Sequence, residues 1–171
     1  MPWAPDQAAL LEDARQGRWT QIAAAFKAGH ATVNPRDAHG DHLLVLAARA
    51  GQDDLVRTLI RRGAVIDHVG SDGFTALGAA AFAGQRSTLR LLLRHGADPA
   101  VRGAGGQTVL HLAAVAGQLD IIDELVRQRV DLELLNTQRE SVLDLAATHG
   151  QLAVMDRLLK AGADLSNAGR R

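Results

Sequence analysis

Cysteine is absent from this sequence of 171 residues, and no stretch of it is long and apolar enough to cross a membrane. Without cysteine the chain has no disulfide bonds and no nucleophilic thiol. A membrane-spanning helix needs roughly 18 consecutive apolar residues, and the apolar runs here are far shorter. We therefore expect neither disulfide cross-links, nor cysteine catalysis, nor insertion into a bilayer.

An excess of one charge is also missing. Lys and Arg total 19, Asp and Glu total 19, and the isoelectric point is about 7.1. Nothing in this balance steers the chain toward nucleic acid or an anionic membrane, so we expect neither as a partner. Residues 1–6 lack the basic head and apolar run of a secretory leader, which favours a cytoplasmic location. The dominance of arginine over lysine, with abundant alanine, favours a bacterial source.

Catalytic motifs are likewise missing. The sequence has no phosphate-binding loop of the Walker type, no His-Glu-x-x-His and no Gly-x-Ser-x-Gly. The glycine-rich segment 103–106 lies at a turn and has no lysine. The 7 histidines are scattered along the chain, whereas a metal site needs three or four converging ligands. We expect no enzymatic activity, no cofactor and no metal ion.

What the sequence does have is an internal repeat. A leucine, an alanine-rich segment and a glycine recur together, and the Ala-Ala pair is present in four of the five copies. A fixed period in the low thirties is typical of stacked supersecondary units, none of which buries its apolar face alone. The repeated glycines, spaced by 34, 33, 33 and 33 residues, are Gly17, Gly51, Gly84, Gly117 and Gly150.

Each unit is predicted to contain two short helices. In the second copy the first helix covers about 44–50 and the second about 53–62, because apolar residues recur there at helical spacing. Gly63 then occupies the position where a helix ends in a left-handed residue. The fourth copy has Arg129 at that position, where every other copy has glycine.

These segments resemble the ankyrin repeat. Residues 106–117 read GQTVLHLAAVAG, close to the family pattern Gly-x-Thr-Pro-Leu-His-x-Ala-Ala-x-x-Gly, and Gly-Ala-Asp recurs at 96–98 and 162–164. The resemblance implies an all-α ankyrin-repeat solenoid of five helix-turn-helix repeats with short β-hairpin loops. Residue Arg139 replaces the motif glycine in the fifth repeat, and no repeat has the motif proline. We expect one domain over residues 1–171, with repeats at about 2–36, 37–69, 70–102, 103–135 and 136–168.

The two ends of the stack carry separate expectations. The first repeat is expected to be a cap, because Asp13 replaces an alanine that would face a preceding repeat and terminal repeats need a polar outer side. Trp19 lies in an apolar column and is expected to pack in the core. In the last repeat we expect Leu152, Met155 and Leu158 to lack cover, since no unit follows them.

Charge is uneven between the repeats, and His111 occupies the motif histidine position. One interpretation is that solvated outer helices pair across repeats, and the other is a docking patch for a charged partner. The resemblance implies a structural role for His111 in tying neighbouring turns by hydrogen bonds. The third repeat contributes Arg86, Arg90, Arg94 and Arg102, and the fourth contributes Asp120, Asp123, Glu124, Asp131 and Glu133.

The resemblance also implies that partners bind a concave face, which is lined by hairpin tips and by the exposed ends of the inner helices. No other class of site is indicated by the sequence. The candidate partner-binding residues at those positions are Arg36, His39, Asp41, Arg49, Ser71, Asp72, Phe74, Phe82, Arg102, Gln107, Val115, Gln138, Glu140, Thr148 and His149.

Two of these residues, Phe74 and Phe82, belong to a small aromatic inventory of 3 phenylalanines and 2 tryptophans. Either they anchor a partner, or Phe82 packs on the adjacent inner helix and Phe74 covers a neighbouring hairpin. We expect a non-enzymatic, protein-protein interaction module that is monomeric alone and that binds a folded partner, acting by occlusion, sequestration or tethering. The alternatives are an immunity or inhibitor protein that neutralises a bacterial toxin or enzyme, and a self-associating scaffold.

Overall fold

The computed structural model describes residues 7–31 and 43–165, and within these ranges the chain is helical with no β-strand. The helices predicted at 44–50 and 53–62 are present at Leu43–Arg49 and Asp53–Arg61. A single 3₁₀ turn lies at Ala104–Gly106. The α-helices are α1 (Gln7–Arg15), α2 (Trp19–Lys27), α3 (Leu43–Arg49), α4 (Asp53–Arg61), α5 (Ala76–Phe82), α6 (Arg86–Arg94), α7 (Val109–Val115), α8 (Leu119–Arg127), α9 (Val142–Thr148) and α10 (Leu152–Lys160).

The helices form five antiparallel pairs that stack in chain order. The inner helices α1, α3, α5, α7 and α9 pack on one another, while α4, α6, α8 and α10 pack in an outer row. Alanine allows the close approach of the inner helices, and Ala80 and Ala113 are completely buried. Each outer helix turns an apolar stripe inward, as with the buried Leu55, Val56 and Leu59 of α4. The core is therefore continuous along the stack, because each pair is covered by its neighbours.

The last pair of helices departs from one sequence-based expectation. Leu152 is 75% exposed and Met155 is half-buried, whereas Leu158 is fully buried. The prediction for Leu158 was wrong because this side chain points toward the core of its own and the preceding pair. Leu159 is the neighbour that reaches solvent, at 38% exposed.

The first pair also differs in detail from the expected polar cap. Asp13 is buried instead of facing solvent, and its Oδ1 accepts a hydrogen bond of 2.7 Å from Nε of Arg18. The charge is thus satisfied within the pair, and the half-exposed Arg18 guanidinium supplies the polar surface. Trp19 is half-buried and packs against the core, as predicted.

Glutamine side chains connect successive pairs in a pattern that we call the glutamine ladder. Each donates a hydrogen bond from Nε2 to a backbone carbonyl at the end of the inner helix of the preceding pair. The distances are 3.3 Å from Gln85 to Arg49, 3.2 Å from Gln118 to Phe82 and 3.3 Å from Gln151 to Val115. A net stabilisation of about 1 kcal/mol per bond is typical. The ladder fixes the ends of the inner helices, where candidate site residues lie.

Hairpin-like turns precede the inner helices α5, α7 and α9. The N–H of Gly70 donates to the carbonyl of Phe74 at 2.8 Å, and that of Gly103 donates to Gln107 at 2.9 Å. Successive turns are joined because the N–H of Ala104 donates to the carbonyl of Gly73 at 3.0 Å. A Cβ on Gly73 would overlap Ala104, so this close approach requires glycine.

Candidate functional site

Four of the sequence-predicted site residues meet at the junction of two helix pairs. The Phe74 and Phe82 ring centroids are 5.5 Å apart with their planes at 63°, an edge-to-face arrangement. The guanidinium carbon of Arg49 lies 5.3 Å from the Phe74 centroid, and Arg49 also forms an ion pair with Asp72. We call these four residues the aromatic cluster. Edge-to-face and cation–π contacts each stabilise such a cluster by roughly 1 kcal/mol.

The cluster holds one exposed aromatic ring. Phe82 is 42% exposed, whereas Phe74 is half-buried and packs against the core. Phe82 lies at the end of α5, where its carbonyl accepts the hydrogen bond from Gln118. Asp72 is held by the turn, because its Oδ1 accepts a hydrogen bond of 3.1 Å from the N–H of Phe74. The ring of Phe82 is therefore presented from a fixed backbone rather than from a free loop.

A cleft of about 330 Å³ adjoins the aromatic cluster and shares Asp72 and Phe74 with it. It is bordered by three successive hairpin turns and contains amide, hydroxyl and backbone groups beside the apolar Leu112. The other lining residues are Gly73, Ala104, Gly105, Gln107, Asn136, Thr137 and Gln138. An apolar anchor beside convergent polar groups is the arrangement that protein-binding sites use.

The turns around the cleft are braced by hydrogen bonds. Nη1 of Arg102 donates to the carbonyl of Leu135 at 2.6 Å and to that of Gly106 at 3.3 Å. Both the N–H and the hydroxyl of Thr137 donate to the carbonyl of Gly105 at 2.9 Å. Arg102 was predicted as a partner-binding residue, and the structure gives it a bracing contact between two turns.

The remaining candidates of the last two pairs lie outside the aromatic cluster. Glu140 accepts a hydrogen bond of 2.9 Å from Nδ2 of Asn136, and the N–H of Gln138 donates to Oδ1 of Asn136 at 2.9 Å. Thr148 and His149 are exposed at the end of α9, where Nδ1 of His149 lies 2.8 Å from the carbonyl of Leu145. Half-buried Val115 ends α7.

Three of the candidate partner-binding residues, Arg36, His39 and Asp41, lie outside the described residues. Ser71 is exposed beside Asp72 in the turn that leads into α5. A protein-binding role for the whole set stays a prediction.

A sequence model of ankyrin repeats, in three copies, matches residues 10–103 and 100–168. These matches cover most of the chain, and the stacked helix pairs agree with them. The chain belongs to the ankyrin-repeat family. Ankyrin repeats generally serve as protein–protein interaction modules, and the family is generally non-enzymatic. The comparison with curated proteins gives no match.

The ankyrin motif histidine, His111, is fully buried in the turn that begins α7. Its Nδ1 lies 2.8 Å from Oγ1 of Thr108 and accepts a hydrogen bond of 3.2 Å from the Thr108 N–H. The ring therefore ties its own turn. Within the part of the chain that the structure describes, its Nε2 has no hydrogen-bond partner. Burial lowers the pKa of His111, and the nearby carbonyls of Leu134 and Glu140 offset this only in part.

The outer ankyrin helices carry ion pairs that cross the repeats, as one sequence interpretation predicted. Arg90 of α6 reaches Glu124 of α8 at 2.6 Å, and Asp123 of α8 pairs with Arg157 of α10. Glu124 is buried. The hydrogen bond from Arg90 is the main cause that lowers the pKa of Glu124, against the raising effect of burial.

The described residues contain neither a candidate metal site nor a candidate membrane-spanning helix. No group of three or more His, Asp or Glu side chains in the described ranges is placed to hold a metal ion. None of the described helices has the length and apolar character that spanning a membrane requires.

Sequence reasoning missed two features of this ankyrin stack. The glutamine ladder has a visible signal, because Gln52, Gln85, Gln118 and Gln151 recur at the repeat period. The Arg49–Asp72 pair has no such signal, since its partners lie 23 residues apart and occur in only one pair of repeats. Such a contact follows only from the register in which neighbouring repeats stack.

Proposed function

We propose that this ankyrin-repeat chain is a non-enzymatic module that binds a folded protein through the face formed by the hairpin turns and the ends of the inner helices. The observation that carries the proposal is the exposed Phe82 ring, fixed in the aromatic cluster at the rim of a polar cleft. Aromatic anchors surrounded by polar groups concentrate binding energy at protein interfaces. The module would act by covering the surface that it binds, and inhibition of a toxin or an enzyme is one form of such action.

The first step of the test is to identify the partner. The tagged protein is used to capture partners from its native host, and the captured protein is identified by mass spectrometry. The purified partner is then titrated calorimetrically against the wild type and single variants.

Phe82→Ala should weaken binding of that partner by about 2 kcal/mol, the scale of an interface hot spot, and should lower the free energy of unfolding by only about 1 kcal/mol through loss of the contact with Phe74. Phe74→Ala is a less clean variant because Phe74 also packs against the core. The control is Arg57→Gln, since the one ion pair that Arg57 forms with a described residue is with the fully exposed Asp54 side chain on its own outer helix. Loss of binding in the control, with Phe82→Ala unaffected, would place the partner on the outer helices.

Self-association is a second candidate, and the exposed side chains at the last helix pair favour it. Leu152 is 75% and Leu165 57% exposed. Sedimentation equilibrium of wild type and Leu152→Gln distinguishes the two ideas. A dimer that Leu152→Gln dissociates would support a scaffold, whereas a monomer at all concentrations would leave the heterologous partner as the proposal.

A further inference from the structure

Three arginines form ion pairs with one carboxylate on the outer helices, away from the aromatic cluster, and a fourth lines the same cleft as that carboxylate. Oε2 of Glu124 lies 2.6 Å from Nη2 of Arg90, 3.1 Å from Nη1 of Arg127 and 3.8 Å from Nη2 of Arg86. The fourth is Arg94, the last residue of α6. We call Arg86, Arg90, Arg94 and Arg127 the arginine cluster.

Two members of the arginine cluster, Arg90 and Arg94, line an open cleft between α6 and α8. The cleft has a volume of about 420 Å³ and is lined by Arg90, Leu93, Arg94, Glu124 and Gln128. Arg94 forms no ion pair with any residue that the structure describes, and its side chain is exposed. The guanidinium of Arg94 is therefore available at a cleft whose wall is already basic.

The local charges do not balance. Glu124 is the one carboxylate paired with Arg86, Arg90 and Arg127, Arg94 adds a fourth positive charge at the same cleft, and the nearby Asp123 is paired with Arg157. Like charges spaced four residues apart on a helix, as Arg86, Arg90 and Arg94 are, destabilise it. An anion in the cleft would offset this repulsion. Guanidinium groups present several N–H donors in a planar fork that suits phosphate oxygens.

We propose that this cleft binds a phosphate dianion, with Arg90 and Arg94 as the direct donors and Glu124 as the group that holds Arg90 in place. A dianion matches the surplus of positive charge better than a single carboxylate does. The same chemistry has two sources, a free phosphate ion or a phosphorylated side chain of a protein partner.

The test is a titration of the ¹⁵N-labelled full chain with inorganic phosphate and, separately, with O-phosphoserine, followed by NMR at constant ionic strength. At least one of the two probes should produce saturable shifts of amides in α6 and α8. Arg94→Gln should weaken binding at least about tenfold, the loss typical of one charged hydrogen bond. Stronger binding of O-phosphoserine supports a partner's phosphorylated side chain, and binding of inorganic phosphate alone supports the free ion.

The matched control is Arg61→Gln. Arg61 ends α4 as Arg94 ends α6, so both variants remove the same charge from the same position of an outer helix. The position of Glu124 is taken by Leu91 in α6, the outer helix that packs next to α4. Arg61→Gln should bind phosphate as the wild type does. Equal weakening in the two variants, or no saturable shift with either probe, would overturn the proposal.

Discussion

Arg129 and Arg139 both hold a left-handed backbone conformation, with φ of 56° and 62°. The corresponding residues of the described neighbouring repeats are glycines, such as Gly96 and Gly106. At Gly106 the next turn also approaches closely, because an added Cβ would lie 2.9 Å from the N atom of Thr137. No described turn follows Arg139 in this way, so an arginine fits there at the cost of backbone strain alone.

Replacing Arg129 by glycine should stabilise the protein. A side chain in the left-handed region costs on the order of 1 kcal/mol. At Gly96, the corresponding residue of the preceding repeat, no atom lies close to the position of an added Cβ, so packing does not require a side chain there. The free energy of unfolding, measured with urea, should therefore rise by about 1 kcal/mol in Arg129→Gly. A lower value in the variant would mean that the arginine side chain makes a stabilising contact that outweighs the strain.

The buried His111 should make the protein less stable in mild acid. Burial holds the pKa of His111 below 6.5, so the unfolded chain takes up a proton near that pH that the folded chain does not. The free energy of unfolding should then decrease as the pH falls below 6.5 toward the folded pKa.

Urea unfolding at several values between about pH 7.5 and 5 measures this dependence. His111→Gln should be less stable than the wild type at neutral pH but should lose less stability on acidification. If both proteins show the same dependence, groups other than His111 account for it.

At the residue scale, the sequence predicted features that a column of the repeat contains, and it indicated pairing between charged outer helices, but it did not predict the specific contacts between two repeats that form the aromatic cluster. The left-handed conformation of Arg129 followed from a column of glycines. The contact of Arg49 with Phe74 and Asp72 depends on the register between two pairs of helices, which no column of the sequence contains.

The helices themselves were predicted well, since their apolar periodicity and terminal glycines are local signals. The repeat boundaries stay a prediction. The exposure predicted for Leu158 was wrong because the sequence shows which residues of the last helix are apolar but not which of them point to solvent. Of the two adjacent leucines, Leu159 is the exposed one and Leu158 is buried. Neighbouring repeats normally settle that choice, and the last described helix has none on one side.

The stacking of the helix pairs predicts an order of stability among them. α5 and α7 pack between two inner neighbours and are joined by the glutamine ladder, whereas α10 exposes Leu152 and Leu159. Amide hydrogen exchange should be slowest in α5 to α8 and fastest in α10 among the described helices, because local unfolding starts where packing is least. Uniform protection along the stack would contradict this order.

On the scale of the whole molecule, two surfaces differ in character although the net charge is zero. One face carries the aromatic cluster and the cleft between hairpin turns, and the outer helices carry the arginine cluster. From the sequence, the resemblance to ankyrin repeats and the lack of catalytic motifs predicted a binding module. The composition alone did not show that Phe82 is both exposed and fixed in position. That placement results from the stacking of α5 on α3 and α7.

A protein partner that binds as we propose covers the face of the hairpin turns. Hydrogen exchange of the complex with the captured partner, compared with that of the free protein, measures which face is covered. We predict that binding slows exchange in residues 71–74, 104–107 and around Phe82, while amides of α4 keep their rates. Protection confined to the outer helices, with the hairpin turns unchanged, would contradict the account.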